Sequence, residues 1–392
     1  MVEAMDELIA VQDRWRDASV TMSLDMWRKG FVGNRNSSLN RLTRIIALTV
    51  SLIPIGLLET DDTRAPPFEL DISNTLTISW LSCSDGSDSM MYLRVNEGVC
   101  LLNLKYLDVT TRHRIGVRTG STTLDDTLKL LRCAPSLEVL YLELPMSGIQ
   151  DTEGLDVVLR ILTLRELGLF FLDNTDLLSS QSQVQVILLR LEFPSLRHLV
   201  ITFIEEGFTE HLLGVAEMLR RSDAKVEVFH LNTMGFTIPL EFDTIVLLLE
   251  AMLVLQEFID RASDSYSLLV RRLEVNTGET ILLHNLLTLG LYKTEDGIDF
   301  DRLEKCLLSR SPPDGRDYPY QRYDPDSERT HNSDESECRS SSGVSILSNL
   351  KIRNQCRRYS VCIDDLLKST VIADMHASRL IINIDGPSLY IL

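Results

Sequence analysis

A six-residue phrase with apolar residues at its first, fourth and sixth places recurs along this chain, and no other feature restricts the fold as tightly. It reads Leu104-Lys-Tyr-Leu107-Asp-Val109, then Leu137-Glu-Val-Leu140-Tyr-Leu142, Leu164-Arg-Glu-Leu167-Gly-Leu169 and Leu196-Arg-His-Leu199-Val-Ile201. Further copies are Val226-Glu-Val-Phe229-His-Leu231, a weaker Leu255-Gln-Glu-Phe258-Ile-Asp260, and Leu286-Leu-Thr-Leu289-Gly-Leu291. Successive fourth places, from 107 to 289, lie 27 to 33 residues apart. Alternation at the fourth and sixth places is strand periodicity, so the third and fifth places point to the opposite face.

Helical spacing fills the intervals. Thr123 to Cys133 carries Leu124, Leu128 and Leu131 on one side, behind a threonine N-cap. Gly154 to Leu162, Val184 to Leu191, Thr209 to Arg221, Phe242 to Leu253 and Arg302 to Leu308 read the same way. One strand and one helix per thirty or so residues cannot bury their own apolar edges, so neighbouring units must stack. The expected fold is therefore α/β: an irregular leucine-rich-repeat solenoid with a parallel inner sheet, outer helices and a small helical N-terminal segment. Proline makes the helix-to-strand turn at Pro135-Ser136 and Pro194-Ser195, by stopping the helix and presetting an extended entry. Three residues beyond the sixth place, where such repeats often carry asparagine, stand Arg112, Pro145, Leu172, Ile204 and Met234, so no asparagine ladder is expected.

The pattern divides the chain into 1–30, a helical segment; 31–98, an irregular cap with degenerate first repeats; 99–310, the main array; 311–343, an insertion; and 344–392, a last repeat and cap. Met90 to Val95 and Leu76 to Trp80 are candidate early strands. Ser311 to Ser342 contains no Leu, Ile, Val, Met or Phe, and is expected to be disordered because it has too little to bury against its ordering entropy. After it the phrase resumes at Leu347-Ser-Asn-Leu350-Lys-Ile352, Cys362 to Lys368 reads as a closing helix, and Arg379 to Asp385 as a last strand.

Residues Val11 to Trp27 resemble the closing helices of an F-box, with Trp15, Arg16 and Ala18 standing for its W-R-x-x-A run, here one residue shorter, and Trp27 as its final tryptophan. Followed by irregular leucine-rich repeats, this is similar to the F-box and leucine-rich-repeat proteins abundant in mushroom-forming fungi. The L-P-x-E/D stretch that opens an F-box is not found before Val11. The resemblance implies that Trp15, Arg16, Ala18 and Trp27 touch the adaptor subunit of an SCF-type ubiquitin ligase, and that the repeats receive its substrate.

A net charge of -18 sets the surface against phosphate backbones and anionic lipid, so neither nucleic acid nor membrane is an expected partner. Ile45 to Leu58 is interrupted by Pro54 and is shorter than the roughly twenty residues of a spanning helix, so it reads as buried core. Seven cysteines without a C-x-x-C pair fit neither a disulfide framework nor a zinc site, and point to a reducing compartment, cytoplasmic or nuclear. The nucleotide-cradle, zincin and nucleophile-elbow signatures are missing. Neither catalysis nor a cofactor or metal is expected.

What remains is the outward face. The third and fifth places put Tyr106, Asp108, Val139, Tyr141, Glu166, His198, Val200, Val228 and His230 in columns on a concave surface, the expected site for a protein partner. Two other readings stay open: an enzyme built on Glu166, His198 and His230, and a vestigial repeat protein with no dedicated ligand.

Overall fold

The computed structural model describes residues 11–23, 44–53, 68–72, 75–85, 91–94, 98–110, 124–144, 158–171, 184, 187–203, 210–233, 242–261, 266–274, 282–293, 300–310, 349–354 and 381–385. It is an α/β structure whose strands pair in parallel. The chain divides into two compact units, Met1–Met252 and Leu253–Leu392. The division falls inside the stretch 99–310.

The first unit holds strands β1 (Asp17–Ser23), β2 (Ala47–Ile53), β3 (Phe68–Asp71), β4 (Trp80–Asp85), β5 (Met91–Arg94), β6 (Tyr106–Val109), β7 (Val139–Leu144), β8 (Leu159–Arg160), β9 (Glu166–Phe171), β10 (Leu191–Glu192), β11 (His198–Phe203) and β12 (Val228–Thr233). Its main sheet runs β1, β2, β4, β6, β7, β9, β11, β12, every neighbouring pair parallel. β3 pairs with β5 and β8 with β10 as separate two-stranded pieces. Among the described residues, helices α1 (Leu124–Cys133), α2 (Glu210–Ser222) and α3 (Phe242–Glu250) are seen, with α2 against α3, and Val184, Ile187 and Leu188 are helical too.

The register explains why the phrase has its form. Leu48, Leu81, Leu107, Leu140, Leu167, Leu199 and Phe229 stand opposite one another along the sheet, and each is wholly buried. The first-place residues Ile45, Ile78, Leu104, Leu137, Leu164, Leu196 and Val226 form a second buried row. Each such aliphatic side chain contributes about 1.5–3 kcal/mol by leaving water.

The second place has its own task, done by the backbone. Its carbonyl accepts two N–H groups from the next phrase: Lys105 O receives Glu138 N at 2.8 Å and Val139 N at 2.9 Å, and Arg165 O receives Arg197 N and His198 N, both at 2.9 Å. The same pair of bonds recurs at Arg16, Ile46, Ser79, Glu138 and Arg197. At several phrases a turn precedes the strand, in which the first-place N–H reaches back three residues, as in Ile78 to Thr75 and Leu196 to Phe193. Carbonyls at these turns are met by side chains of the following phrase: Thr77 Oγ1 donates to Ile45 O at 2.7 Å, Asn103 Nδ2 to Leu76 O at 3.0 Å and Thr163 Oγ1 to Leu137 O at 2.7 Å. Such bonds remove the cost of unpaired backbone groups where the chain turns.

The second unit contains β13 (Glu257–Asp260), β14 (Thr288–Lys293), β15 (Asn349–Asn354) and β16 (Ile381–Asp385), again parallel and in chain order. Phe258, Leu289, Leu350 and Ile382 occupy the fourth-place row. Helices α4 (Tyr266–Leu273) and α5 (Phe300–Arg310) pack together. Arg310, 2% exposed, donates from Nε to Leu273 O at 2.7 Å and from Nη1 to Leu283 O at 2.9 Å. It thereby closes the C-terminus of α4 and fixes the turn before β14, where Leu283 takes a left-handed conformation at φ 53°. Burial holds the guanidinium below its usual value, since desolvation disfavours the charged form.

Three expectations need correction. The helices expected across Val11 to Trp27 are, over the described residues, a 3-10 turn at Gln12–Arg14 and strand β1. β1 runs in register with β2, Ala18 opposite Leu48 and Val20 opposite Val50, so Trp15, Ala18 and Val20 fill the first, fourth and sixth places of an additional phrase. The end of the helix expected over Gly154 to Leu162 is instead strand β8, tied to β10. Leu76 and Thr77 lie in a turn, and the strand there is Trp80–Asp85. Met91–Arg94 is a strand, as read, and pairs with Phe68–Asp71 outside the main sheet. Strands β15 and β16 fall where the resumed phrase and the last strand were expected, and Ile45, Leu48 and Val50 are core as read. The insertion 311–343, the closing helix at Cys362 to Lys368 and Trp27 lie outside the described residues.

Candidate aromatic face

The parallel register aligns the third places Trp80, Tyr106, Val139, Glu166, His198 and Val228 in one row, and the fifth places Ser82, Asp108, Tyr141, Gly168, Val200 and His230 in the next. Strands about 4.8 Å apart bring such residues into side-chain contact. Trp80 lies flat on Tyr106, ring centroids 3.3 Å apart and planes 2° from parallel. Tyr106 meets Tyr141 at 6.0 Å, and Tyr141 meets Phe170 edge-on at 6.3 Å. Four rings on four successive strands thus make one connected ladder, still open to solvent at Trp80, which is 42% exposed. Ordinarily a ring of that size is buried or finds a partner.

Gly168 makes part of this possible. A Cβ there would fall inside the Tyr141 ring, so the bare backbone of β9 lets the tyrosine lean across to its neighbour. Tyr141 Oη then donates to Glu166 Oε1. His198 Nδ1 stands 4.0 Å from the other oxygen of Glu166, with both side chains partly exposed. Desolvation, the Glu166 hydrogen bond and the nearby negative charges push the Tyr141 hydroxyl well above its usual value. It therefore remains the donor in its bond to Glu166 near neutral pH.

Asp108 departs from expectation. Placed on the outward columns by its fifth place, it is only 3% exposed, its carboxylate accepting from Ser82 Oγ at 3.2 Å and Thr110 Oγ1 at 2.8 Å. Its carboxyl is therefore buried beneath the sheet's outward surface and is not itself a contact residue. Tyr106, Val139, Tyr141, Glu166, Val200, Val228 and His230 are half-buried and His198 exposed, as an outward face requires.

The structure also separates the three groups of the enzyme reading. His198 stands opposite Glu166, but His230 stands opposite Val200, one row and one strand away. Among the described residues no group of three or more His, Cys, Asp or Glu is placed to hold a metal ion. At the N-terminal end Trp15 is half-buried, Arg16 supplies its carbonyl to Ile46 N at 2.6 Å and Ala47 N at 3.2 Å, and Ala18 lies within β1.

Trp80 and Phe170 were missed by the sequence reading. Both were recoverable: Ile78-Ser-Trp80-Leu81-Ser-Cys83 is itself a phrase, which places Trp80 third, and Phe170 follows the sixth place Leu169 and so points outward. No described helix is long and apolar enough to cross a membrane. No family model, curated protein or solved structure matches the chain.

Proposed function

We propose that this chain is an irregular leucine-rich-repeat protein that binds another protein through the outward face of its main sheet. One observation supports this above the rest: a connected ladder of Trp80, Tyr106, Tyr141 and Phe170 stands on a parallel sheet whose opposite side is closed by core, leaving the rings a single free surface. Aromatic side chains give large contact area at small entropy cost and dominate binding hot spots. The recurring pair of hydrogen bonds to second-place carbonyls and the buried leucine rows support the repeat reading.

In this proposal Trp15 and Ala18 serve the first phrase of the array, standing at its first and fourth places, and Arg16 serves it through its backbone carbonyl. A role as substrate receptor of a ubiquitin ligase would then require an adaptor-binding segment elsewhere.

Replacing Tyr141 and His198 together with Ala, and comparing proteins recovered on the tagged chain from cells, tests the reading. We expect specific partners to be lost while the melting temperature stays within a few degrees. Retention of the same partners by that variant, together with their loss on replacing Arg160 in β8, would overturn it.

A further inference from the structure

We propose that the partner presents arginine or lysine side chains to this face, held over the rings by cation–π contact; the inference rests on the protein-binding reading above and specifies the partner's chemistry. The first observation is charge placement. Across the eight strands of the first unit's main sheet, the third and fifth places include Asp17, Asp108 and Glu166 but no lysine or arginine. The basic residues of the phrases stand instead at second places, as Arg16, Lys105, Arg165 and Arg197, and two of these engage acids of the same row, Lys105 with Glu138 at 2.8 Å and Arg197 with Glu227 at 2.9 Å.

The second observation is how the face's acids are held. Asp108 accepts from the hydroxyls of Ser82 and Thr110, and Glu166 from that of Tyr141. Hydroxyl donors orient these carboxylates without bringing a positive charge of their own, and His198, 4.0 Å from Glu166, brings one only when protonated. Carboxylates thus stand beneath and beside the ring ladder, and Trp80, 42% exposed, keeps aromatic surface open to a cation. The net charge of -18 adds attraction at longer range. An acidic segment would be repelled here, and a wholly apolar one would strip water from Glu166 and His198 without replacing it. The four ladder strands span about 14 Å, roughly four residues of extended chain.

A displayed library of random dodecapeptides, selected on the folded full-length chain, tests this. The expected result is enrichment of arginine and lysine. Selected peptides should lose about 5- to 30-fold in affinity on Trp80→Ala or Tyr106→Ala, and also weaken on Glu166→Gln and with added salt. Glu166→Gln keeps an acceptor for Tyr141, so it reports charge even if a ring deletion disturbs folding, and circular dichroism checks each variant. Enriched peptides that depend on the ring residues but carry no excess of basic side chains would overturn the cationic partner and leave the binding face standing. Basic peptides indifferent to all three variants, or no enrichment at all, would overturn both.

Discussion

At the scale of single residues, the backbone and the buried polar groups make sharper demands than the apolar core. Asp223 follows α2 in a left-handed conformation, φ 49°, where the Ala224 N–H reaches back to Leu219 O at 3.2 Å. An aspartate tolerates that conformation and a glycine prefers it. Asp223→Gly should therefore raise stability by about 0.5–1 kcal/mol in urea unfolding. His211 lies 4% exposed against Phe171, ring centroids 5.1 Å apart, and burial lowers its value from 6.5 to about 4. The unfolded chain then takes up a proton at higher pH than the folded one. This contribution to stability is complete above about 6.5 and is lost as pH falls towards about 4. His211→Phe should flatten the dependence of melting temperature on pH across that window; an unchanged slope would show that other groups set it.

Strands and helices are held by the phrase on one side and by a few polar clamps on the other. Leu140→Ala and Leu199→Ala each empty a wholly buried fourth place, and should cost about 2–5 kcal/mol in chemical denaturation. Changes of a few tenths would contradict the register. Arg310→Met removes the donor that closes α4 and leaves buried carbonyls unmet, so it should destabilise the second unit by about 2–4 kcal/mol, although methionine packs as well as the arginine stem. The seven phrases from Leu104 to Leu291 were legible because leucine dominates their fixed places. The three earlier ones were hidden by composition: Trp15 with Ala18, Ile45 with Leu48 and Ile78 with Leu81 obey the same pattern in less distinctive residues, and Trp15 to Ala18 also spells a fragment of another motif. Alternation placed Glu166 beside His198 correctly, since parallel register follows from the phrase. It misplaced Asp108, because alternation gives the direction of a side chain but not what a neighbouring tyrosine and two hydroxyls then cover. The clamps left no periodic trace, as each depends on one long side chain reaching a carbonyl roughly thirty residues away.

For the molecule as a whole, the proposed function comes down to which surface would meet a partner. The first unit offers the outward sheet face, with its ladder and fixed acids, and the helical side, where Leu213 and Leu247 are exposed singly. Scattered exposed leucines are ordinary, whereas four connected rings are not. A photo-crosslinking amino acid placed at Val200, between the Glu166–His198 pair and His230, and in a second variant at Leu247 on α3, distinguishes the two in living cells. Crosslinked partner should appear from Val200 and be lost when Trp80 and Tyr141 are also replaced. Crosslinking from Leu247 alone, unaffected by those replacements, would contradict the assignment of binding to the sheet face.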